Sequence, residues 1–250
     1  MAAPPRPKPA PPKAASDASI DGKVLFLNGS RGRLTVEKRD KDGLTVRLIA
    51  VGYKMSAPSE SCGLDLGAGQ PITLKAAGRP EGVSRYSLGI AGCDVSFDTL
   101  DGGLIALAPG GACEFREGDC KVDLHGVWGP PPSVIEGETV AIEKDRGRAD
   151  KTVRESYKAL IKSVPKTDKA GVRKIAAEQA GFTSEREIMC RDYARESAHG
   201  YCAARYTEYR AASLGVRLGK APPPGPDDEQ KPRPKPKPKP VVTPSPGQLY

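Results

Sequence analysis

The sequence is poor in histidine and in aromatic side chains. Its 250 residues include two His, one Trp, four Phe and eight Tyr, and aromatic residues make up 5% of the chain. His125 and His199 lie far apart, and no C-x-x-C pair or His/Cys cluster has the spacing of a zinc site. Few side chains are therefore candidates for general acid–base chemistry. We expect no metal, no cofactor and no enzymatic activity.

Long apolar runs are also absent. No stretch approaches the roughly 18 apolar residues that a membrane-spanning helix needs, so we expect no transmembrane span. The sequence contains no signal peptide, yet it begins Met1-Ala2-Ala3-Pro4, as a mature secreted protein would if a start methionine had replaced its signal. We therefore expect the signal peptide to have been removed and the protein to be periplasmic or secreted.

The formal net charge of +8 is unevenly distributed along the chain. Residues 18–132 carry −1 and residues 133–218 carry +4, while the two tails carry the rest. In the second segment Lys and Arg alternate with Glu and Asp, which is typical of a solvated helical face. A nucleic-acid-binding surface would need a basic stripe interleaved with aromatic residues. We therefore expect no nucleic-acid partner.

Proline and lysine dominate both ends of the chain. Residues 4–12 read PPRPKPAPP and residues 222–240 read PPPGPDDEQKPRPKPKPKP. Because proline removes backbone donors and like charges repel, we expect residues 1–17 and 219–250 to be disordered tails, with polyproline II in the lysine–proline part. That part resembles the Pro-Lys spacers of energy-transducing envelope proteins, and its natural partner would be an anionic cell-wall polymer or lipid head group. The alternative is a solubilising tail that contacts nothing.

The residues between the tails divide at the run Gly129-Pro130-Pro131-Pro132. Sequence rich in glycine and strand-forming residues precedes it, and sequence rich in Ala, Glu, Lys and Arg follows it. We expect two domains, a β-rich domain at 18–130 and a helical domain at 131–218. Trp128, the single tryptophan, lies at this boundary. We expect it to pack between the domains; the alternative is an exposed anchor for a partner.

Short strands bounded by glycine or proline indicate the fold of the first domain. An alternating apolar pattern flanks a Lys41-Asp42-Gly43 turn, which is typical of a β-hairpin. Its apolar residues are Leu34, Val36, Leu44, Val46 and Leu48. Many short strands at close spacing predict a small antiparallel β-sandwich or barrel. The expected fold class is therefore α+β, with a disulfide-clamped three-helix unit after the β-rich domain.

Six cysteines fall in even numbers in the two expected domains. They are Cys62, Cys93, Cys113 and Cys120 in the first and Cys190 and Cys202 in the second. Even parity favours disulfides over the alternative of six buried thiols in a cytosolic protein. Cys190 and Cys202 are therefore expected to pair. The first four allow three pairings, of which we favour Cys113–Cys120 with Cys62–Cys93 because residues 114–119 are turn-forming.

Three helices are expected in the second domain. Residues 136–163 form the first, which Pro165 ends. Its apolar residues at helical spacing are Val140, Val153, Tyr157, Leu160 and Ile161. Asp168 is expected to cap the second helix, and the third runs from about Tyr201 to Leu214.

Eight residues of the last two helices follow a distinctive spacing. They are Gln179, Phe182, Arg186, Cys190, Cys202, Thr207, Arg210 and Leu214. In this spacing residues 133–218 resemble the LprI-like family, which is named for a mycobacterial lysozyme inhibitor. The resemblance implies a disulfide-clamped helical module that inhibits a lysozyme-type muramidase. The family usually carries a second cysteine pair around its first helix and a tryptophan at the position of Phe182, and this chain has neither.

The polar residues of this pattern are expected to have structural roles. Arg186, Thr207 and Arg210 flank the two cysteines in sequence, which places them beside the expected disulfide. We expect a polar contact there among Arg, Thr and the backbone. An alternative pairs Arg186 with Glu208 across the helices.

The segment Ser197-Ala198-His199-Gly200-Tyr201-Cys202 invites comparison with the Ser-His-Gly-Cys motif of L,D-transpeptidases. In that motif a histidine activates the cysteine thiolate. Here one extra residue separates Gly200 from Cys202, and a disulfide at Cys202 would leave no nucleophile. We therefore expect no catalytic role for this segment.

The expected function is binding within the cell envelope. The helical module would present a protein-binding surface, and its specific activity would be inhibition of a lysozyme-type muramidase. The alternative is a structural or scaffold protein of the cell wall that contacts peptidoglycan or an envelope partner through its Pro-Lys tails.

Overall fold

The computed structural model describes residues 17–40 and 43–219. Lys41 and Asp42 of the expected hairpin turn, and nearly all of both expected tails, lie outside the described residues. Strands occupy the first part of the described chain and helices the second, and the change falls between Gly129 and Pro132. Among the described residues, no helix combines the length and apolar content that crossing a bilayer requires. The chain is therefore an α+β protein.

Eleven antiparallel strands form one sheet in the described part of the chain. They are β1 (Val24–Leu27), β2 (Arg31–Arg39), β3 (Gly43–Lys54), β4 (Ser61–Asp65), β5 (Ile72–Ala76), β6 (Arg85–Ile90), β7 (Cys93–Leu100), β8 (Gly103–Leu107), β9 (Cys113–Phe115), β10 (Cys120–Val122) and β11 (Gly126–Gly129). Eight of them close into a barrel in the order β2-β1-β11-β8-β7-β6-β5-β3, because β3 pairs back with β2. The other three extend from β3, which pairs with β4 and β10, while β9 pairs with β10. Of the two expected architectures, the protein has the barrel.

The expected hairpin is confirmed by the pairing of β2 with β3. Leu34 lies opposite Leu48, and Val36 lies opposite Val46, and all four are buried. Since successive side chains of a strand point to opposite faces, this register directs the apolar set inward and the polar set outward.

The barrel interior is filled by apolar side chains, which we call the barrel core. Its largest fully buried members include Leu25, Leu34, Leu44, Leu48, Leu74, Phe97, Leu104 and Trp128. An eight-stranded barrel has an interior just wide enough for side chains to fill. The expectation that Trp128 packs between the two domains is wrong. Its ring lies edge-on to Phe97 at 6.4 Å inside the barrel, and its Nε1 donates to the Leu124 carbonyl at 3.0 Å.

All six cysteines form disulfides, but the favoured pairing of the first four is wrong. The bonds are Cys62–Cys120, Cys93–Cys113 and Cys190–Cys202. Cys113 and Cys120 do belong to one hairpin, but Cys120 lies opposite Phe115 and Cys113 lies opposite Val122. Instead, Cys120 bonds to β4, which pairs with the same end of β3 as β10 does. The two barrel disulfides therefore attach the β9–β10 hairpin to the barrel.

Five α-helices follow the barrel in the described part of the chain. They are α1 (Pro132–Ile135), α2 (Thr139–Ser163), α3 (Lys169–Cys190), α4 (Glu196–His199) and α5 (Tyr201–Arg217). Asp168 caps α3 as expected, since its carboxylate accepts a hydrogen bond from the Gly171 amide at 2.8 Å. Val140, expected on the apolar face of the first helix, is 83% exposed, and the buried residue at this end of α2 is Ile142.

The helices pack on the outer face of β7, β8 and β11 through a second apolar cluster, the junction cluster. The strands contribute Leu100, Ile105 and Val127, and the helical part contributes Ile135, Ile142, Cys190, Tyr193, Tyr201, Cys202 and Ala204. Val127 faces the helices because it alternates with Trp128 on β11. The barrel and the helices therefore share a buried apolar contact.

Glycine at position 129 allows the helical part to approach β11 closely. A Cβ at Gly129 would lie 2.5 Å from Tyr193 Oη and 2.8 Å from Tyr201 Cε1, closer than carbon can sit. Tyr193 uses this space to donate a hydrogen bond from its hydroxyl to the Pro130 carbonyl at 2.8 Å. Beyond the junction, α2, α3 and α5 pack on one another through the distal cluster, which consists of Val153, Leu160, Ile175, Ala211 and Leu214.

Candidate functional site

One cleft of the described structure combines aromatic, acidic and basic side chains, and we call it the α3–α5 cleft. It lies where α3 and α5 meet the connection between β5 and β6, and its volume is about 200 Å³. Its lining residues are Glu81, Phe182, Glu185, Tyr206, Tyr209, Arg210 and Ser213. Two of these, Phe182 and Arg210, belong to the spacing pattern found in the sequence.

The aromatic side chains of the cleft form a row. Phe182 of α3 is buried and stacks on Tyr206 of α5, with ring centroids 5.9 Å apart and an interplanar angle of 7°. Tyr206 in turn stacks on Tyr209 at 6.0 Å. Tyr206 and Tyr209 are three residues apart on a helix, which makes them neighbours on one face. The row gives the cleft a rigid wall of large apolar surface.

Two guanidinium groups lie over the Phe182 ring. The Cζ of Arg186 is 5.4 Å from the ring centroid and the Cζ of Arg210 is 5.7 Å from it. Both distances are within the range of a cation–π interaction. The Nε of Arg210 and the Oε1 of Gln179 are buried and have no hydrogen-bond partner within the described residues. Leu214, the last member of the pattern, lies in the distal cluster.

Arg186 and Thr207 make the polar contact that was expected beside the disulfide. Arg186 Nη1 donates to Thr207 Oγ1 at 3.0 Å, and Thr207 Oγ1 donates to the Ala203 carbonyl at 2.7 Å. Arg186 also lies 3.5 Å from Asp150 of α2. The alternative pairing of Arg186 with Glu208 is wrong, because Glu208 instead accepts from Arg205 at 2.7 Å.

A buried ionic group joins the floor of the cleft to the barrel. Arg85 of β6 donates from Nε and Nη2 to the two oxygens of Asp98 on β7, both at 2.6 Å. The hydroxyl of Tyr209 donates a hydrogen bond to Asp98 Oδ2 at 2.9 Å. Hydrogen bonding to Asp98, whose side chain is fully buried, raises the pKa of Arg85 further. Burial raises the pKa of Tyr209 well above its ordinary value, so the hydroxyl stays protonated and can act as a hydrogen-bond donor.

The cleft carries two carboxylates and one guanidinium. Among residues 17–40 and 43–219, neither Glu81 nor Glu185 forms a salt bridge or a hydrogen bond, and the negative charge of Glu81 also raises the pKa of Arg85. Burial raises the pKa of Tyr206, and the negative charge of Glu185 raises it further, while Arg210 lowers it. Glu81 acts on Tyr209 in the same direction, after burial and Asp98. Both carboxylates therefore project a negative potential onto the tyrosines of the aromatic row.

A second polar cluster lies at the start of α5 and holds the residues of the transpeptidase-like segment. The carboxylate of Glu196 accepts from the amides of Cys202 at 3.0 Å and Ala203 at 2.8 Å, which satisfies two free donors of the first helical turn. Burial raises the pKa of Glu196. His199 is buried and bonds through Nε2 to the Ala194 carbonyl. Since Cys202 is bonded to Cys190, it presents no thiolate.

A larger concavity, of about 690 Å³, lies at the far end of the barrel. It is lined by residues 88–94 and by Gly110 and Gly111. Asp94 is the only ionisable side chain among these lining residues, because Cys93 is bonded to Cys113. The concavity thus offers little side-chain chemistry, which makes the α3–α5 cleft the better candidate site.

Several cleft residues were not singled out from the sequence. Tyr206 and Tyr209 could have been found, because aromatic residues are scarce and these two lie within one helical turn of Arg210. Glu81, Arg85 and Asp98 come from the barrel sequence and reach the cleft only through tertiary packing. Local spacing carries no signal for that contact.

Comparisons with known proteins identify no relative of this chain. No family model matches the sequence, and no curated protein and no solved structure matches it either. Within the described ranges, no group of three or more His, Cys, Asp or Glu side chains could hold a metal ion.

Proposed function

We propose that the chain is a non-enzymatic binding protein of the cell envelope that captures a protein partner through the α3–α5 cleft. The observation that carries this proposal is the row of Phe182, Tyr206 and Tyr209 beside two carboxylates that form no salt bridge or hydrogen bond within the described residues. Aromatic side chains and arginine are enriched at the centres of protein interfaces, where they supply most of the binding energy. The aromatic row lies on α3 and α5, which the Cys190–Cys202 disulfide joins.

The disulfides support a secreted or periplasmic location. All six cysteines of the sequence are paired, in three bonds that involve both the barrel and the helices. Disulfides form and persist in oxidising compartments and are rare in the cytosol. A binding protein with this chemistry would meet its partner outside the cytoplasm.

Inhibition of a lysozyme-type muramidase is the specific activity that we propose. The resemblance of residues 133–218 to the LprI-like family implies it. Lysozymes are commonly basic, and the net charge of +4 on residues 133–218 opposes their approach. The carboxylates of Glu81 and Glu185 supply local negative charge at the cleft itself, where a basic partner would dock.

A turbidity assay of lysozyme on bacterial cell walls tests this activity. The full chain should slow lysis at equimolar concentration or tenfold excess over the enzyme. Replacing Glu81 and Glu185 together by Gln should weaken the effect, whereas Glu187→Gln, an exposed position on α3 outside the cleft lining, should leave it unchanged. Unchanged lysis at tenfold excess of the wild-type chain would reject muramidase inhibition.

A scaffold role in the cell wall is the second candidate, and the C-terminal tail sequence favours it. The run KPRPKPKPKP at residues 231–240 carries five positive charges and no negative ones. Such a run would attract anionic wall polymers. Binding of the full chain to purified sacculi should fall when Lys235, Lys237 and Lys239 are replaced by Gln, if this role is correct. Equal binding of both forms would reject it.

A further inference from the structure

The size of the α3–α5 cleft restricts what it can bind. Its volume of about 200 Å³ is below the roughly 300–1,000 Å³ of sites for drug-sized molecules. A nucleotide or an oligosaccharide would therefore project out of it. A single amino-acid side chain is a better match to this volume.

The charges of the cleft select the kind of side chain. Glu81 and Glu185 line it and form no salt bridge or hydrogen bond in the described part of the chain, while Arg210, the one cation among the described lining residues, lies over the Phe182 ring. Tyr206 and Tyr209 line the same cleft and add two electron-rich rings. Carboxylates and aromatic rings both attract cations.

We propose that the α3–α5 cleft binds one cationic side chain, a lysine or an arginine, of a protein partner, between the tyrosine rings and the carboxylates of Glu81 and Glu185. This inference rests on the proposed function for the existence of the partner. Arginine should bind more tightly than lysine, because its planar guanidinium stacks on aromatic rings and bonds to carboxylates in pairs. The protein already uses such stacking at Phe182.

Arg210 opposes the incoming cation and therefore supplies an internal check. Its guanidinium lies at the same cleft, and its Nε has no partner within the described residues. Replacing it by Gln would remove one like charge from the site. The Arg210→Gln variant should therefore bind a cationic probe more tightly than wild type does, provided that its amide spectrum shows a folded protein.

The test uses amino-acid probes of matched shape and different charge. N-acetyl-arginine methylamide, the corresponding lysine compound and the uncharged citrulline compound are titrated into the full chain, and amide shifts are followed by NMR. The arginine probe should shift the amides of Tyr206, Tyr209 and Arg210, and citrulline should not. Glu81→Gln with Glu185→Gln should weaken arginine binding roughly fivefold, from the loss of two exposed ion pairs. Glu187→Gln should leave it unchanged.

Three results would overturn the inference. One is equal binding of citrulline and arginine; another is a set of shifts that maps away from α5. The third is arginine binding that tightens when Lys235, Lys237 and Lys239 are all replaced by Gln, which would assign the occupant to the chain's own tail. If arginine binds at the cleft but lysis is not slowed, the cation site stands and muramidase inhibition fails. If the wild-type chain slows lysis yet binds no arginine probe, the cation site fails and the function stands.

Discussion

The barrel and the helices are held together by different interactions. The barrel is closed by strand pairing and filled by one continuous apolar core that includes Phe97 and Trp128. The helical part has only the distal cluster to itself and shares the junction cluster with the barrel, and its buried ionic contacts are more numerous, since the buried Arg205 lies near Asp101, Asp145 and Glu208. Buried ion pairs stabilise less than apolar packing of the same volume. We infer that the barrel is the more stable part and that it supports the helices carrying the cleft.

The largest expected effect comes from charging the junction cluster. Val127→Asp places a carboxylate without a partner between β11 and the helices and should lower the free energy of unfolding by about 4 kcal/mol. Urea unfolding is followed by helical circular dichroism and by the fluorescence of Trp128, which lies inside the barrel. The helical signal should be lost first. Val51→Asp, at a half-exposed position on β3, is the control and should change stability little; an equal loss in both variants would contradict the assignment.

Removing the helical disulfide should have the next largest effect. Cys190→Ser with Cys202→Ser opens a loop of 12 residues and should cost about 3 kcal/mol, less any strain in the native bond. The melting temperature of the helical signal should fall while that of Trp128 fluorescence changes less. Cys93→Ser with Cys113→Ser is the matched variant in the barrel and should show the reverse order. An unchanged melting curve for the helical variant would show that the clamp contributes nothing.

The smallest of the three effects is expected at the hydrogen bond that joins the cleft to the barrel. Tyr209→Phe leaves Asp98 without one of its donors and should cost about 1.5 kcal/mol, because the acceptor is charged and buried. Tyr206→Phe removes a hydroxyl with no hydrogen bond in the described structure and should change stability by less than about 0.5 kcal/mol. Equal urea midpoints for the two variants would contradict a linking role for Tyr209.

The sequence predicted the local features of the fold better than its long-range contacts. The β2–β3 hairpin followed from alternation at Leu34 and Val36, and the α3 cap followed from Asp168, because both depend on neighbouring residues. The predicted position of Trp128 is wrong because β11 is buried on both faces. Alternation of polarity therefore could not show which of its side chains face the barrel interior. The predicted pairing of the first four cysteines is wrong because the actual pairing depends on how β10 and β4 pair with β3.

In the candidate site, too, the sequence predicted contacts between neighbouring helices but not contacts between distant segments. The contact between Arg186 and Thr207 could be predicted, because both residues belong to one spacing pattern on adjacent helices. The acidic side of the cleft could not be predicted, because six strands and four helices separate Glu81 from α5 in sequence. Only the packing of the β5–β6 connection against α5 brings Glu81 beside Tyr209.

The pairing of β1 with β11 determines when the chain can complete its fold during synthesis. Phe26 of β1 pairs with Gly129 of β11, so the barrel cannot close until β11 has been synthesised. Pairings between such distant residues form slowly because a long loop must be ordered first. Until α5 follows, Ile105 and Val127 on the outer face remain exposed to solvent. The nascent chain therefore passes through a stage in which this apolar surface is open to chaperones or to aggregation.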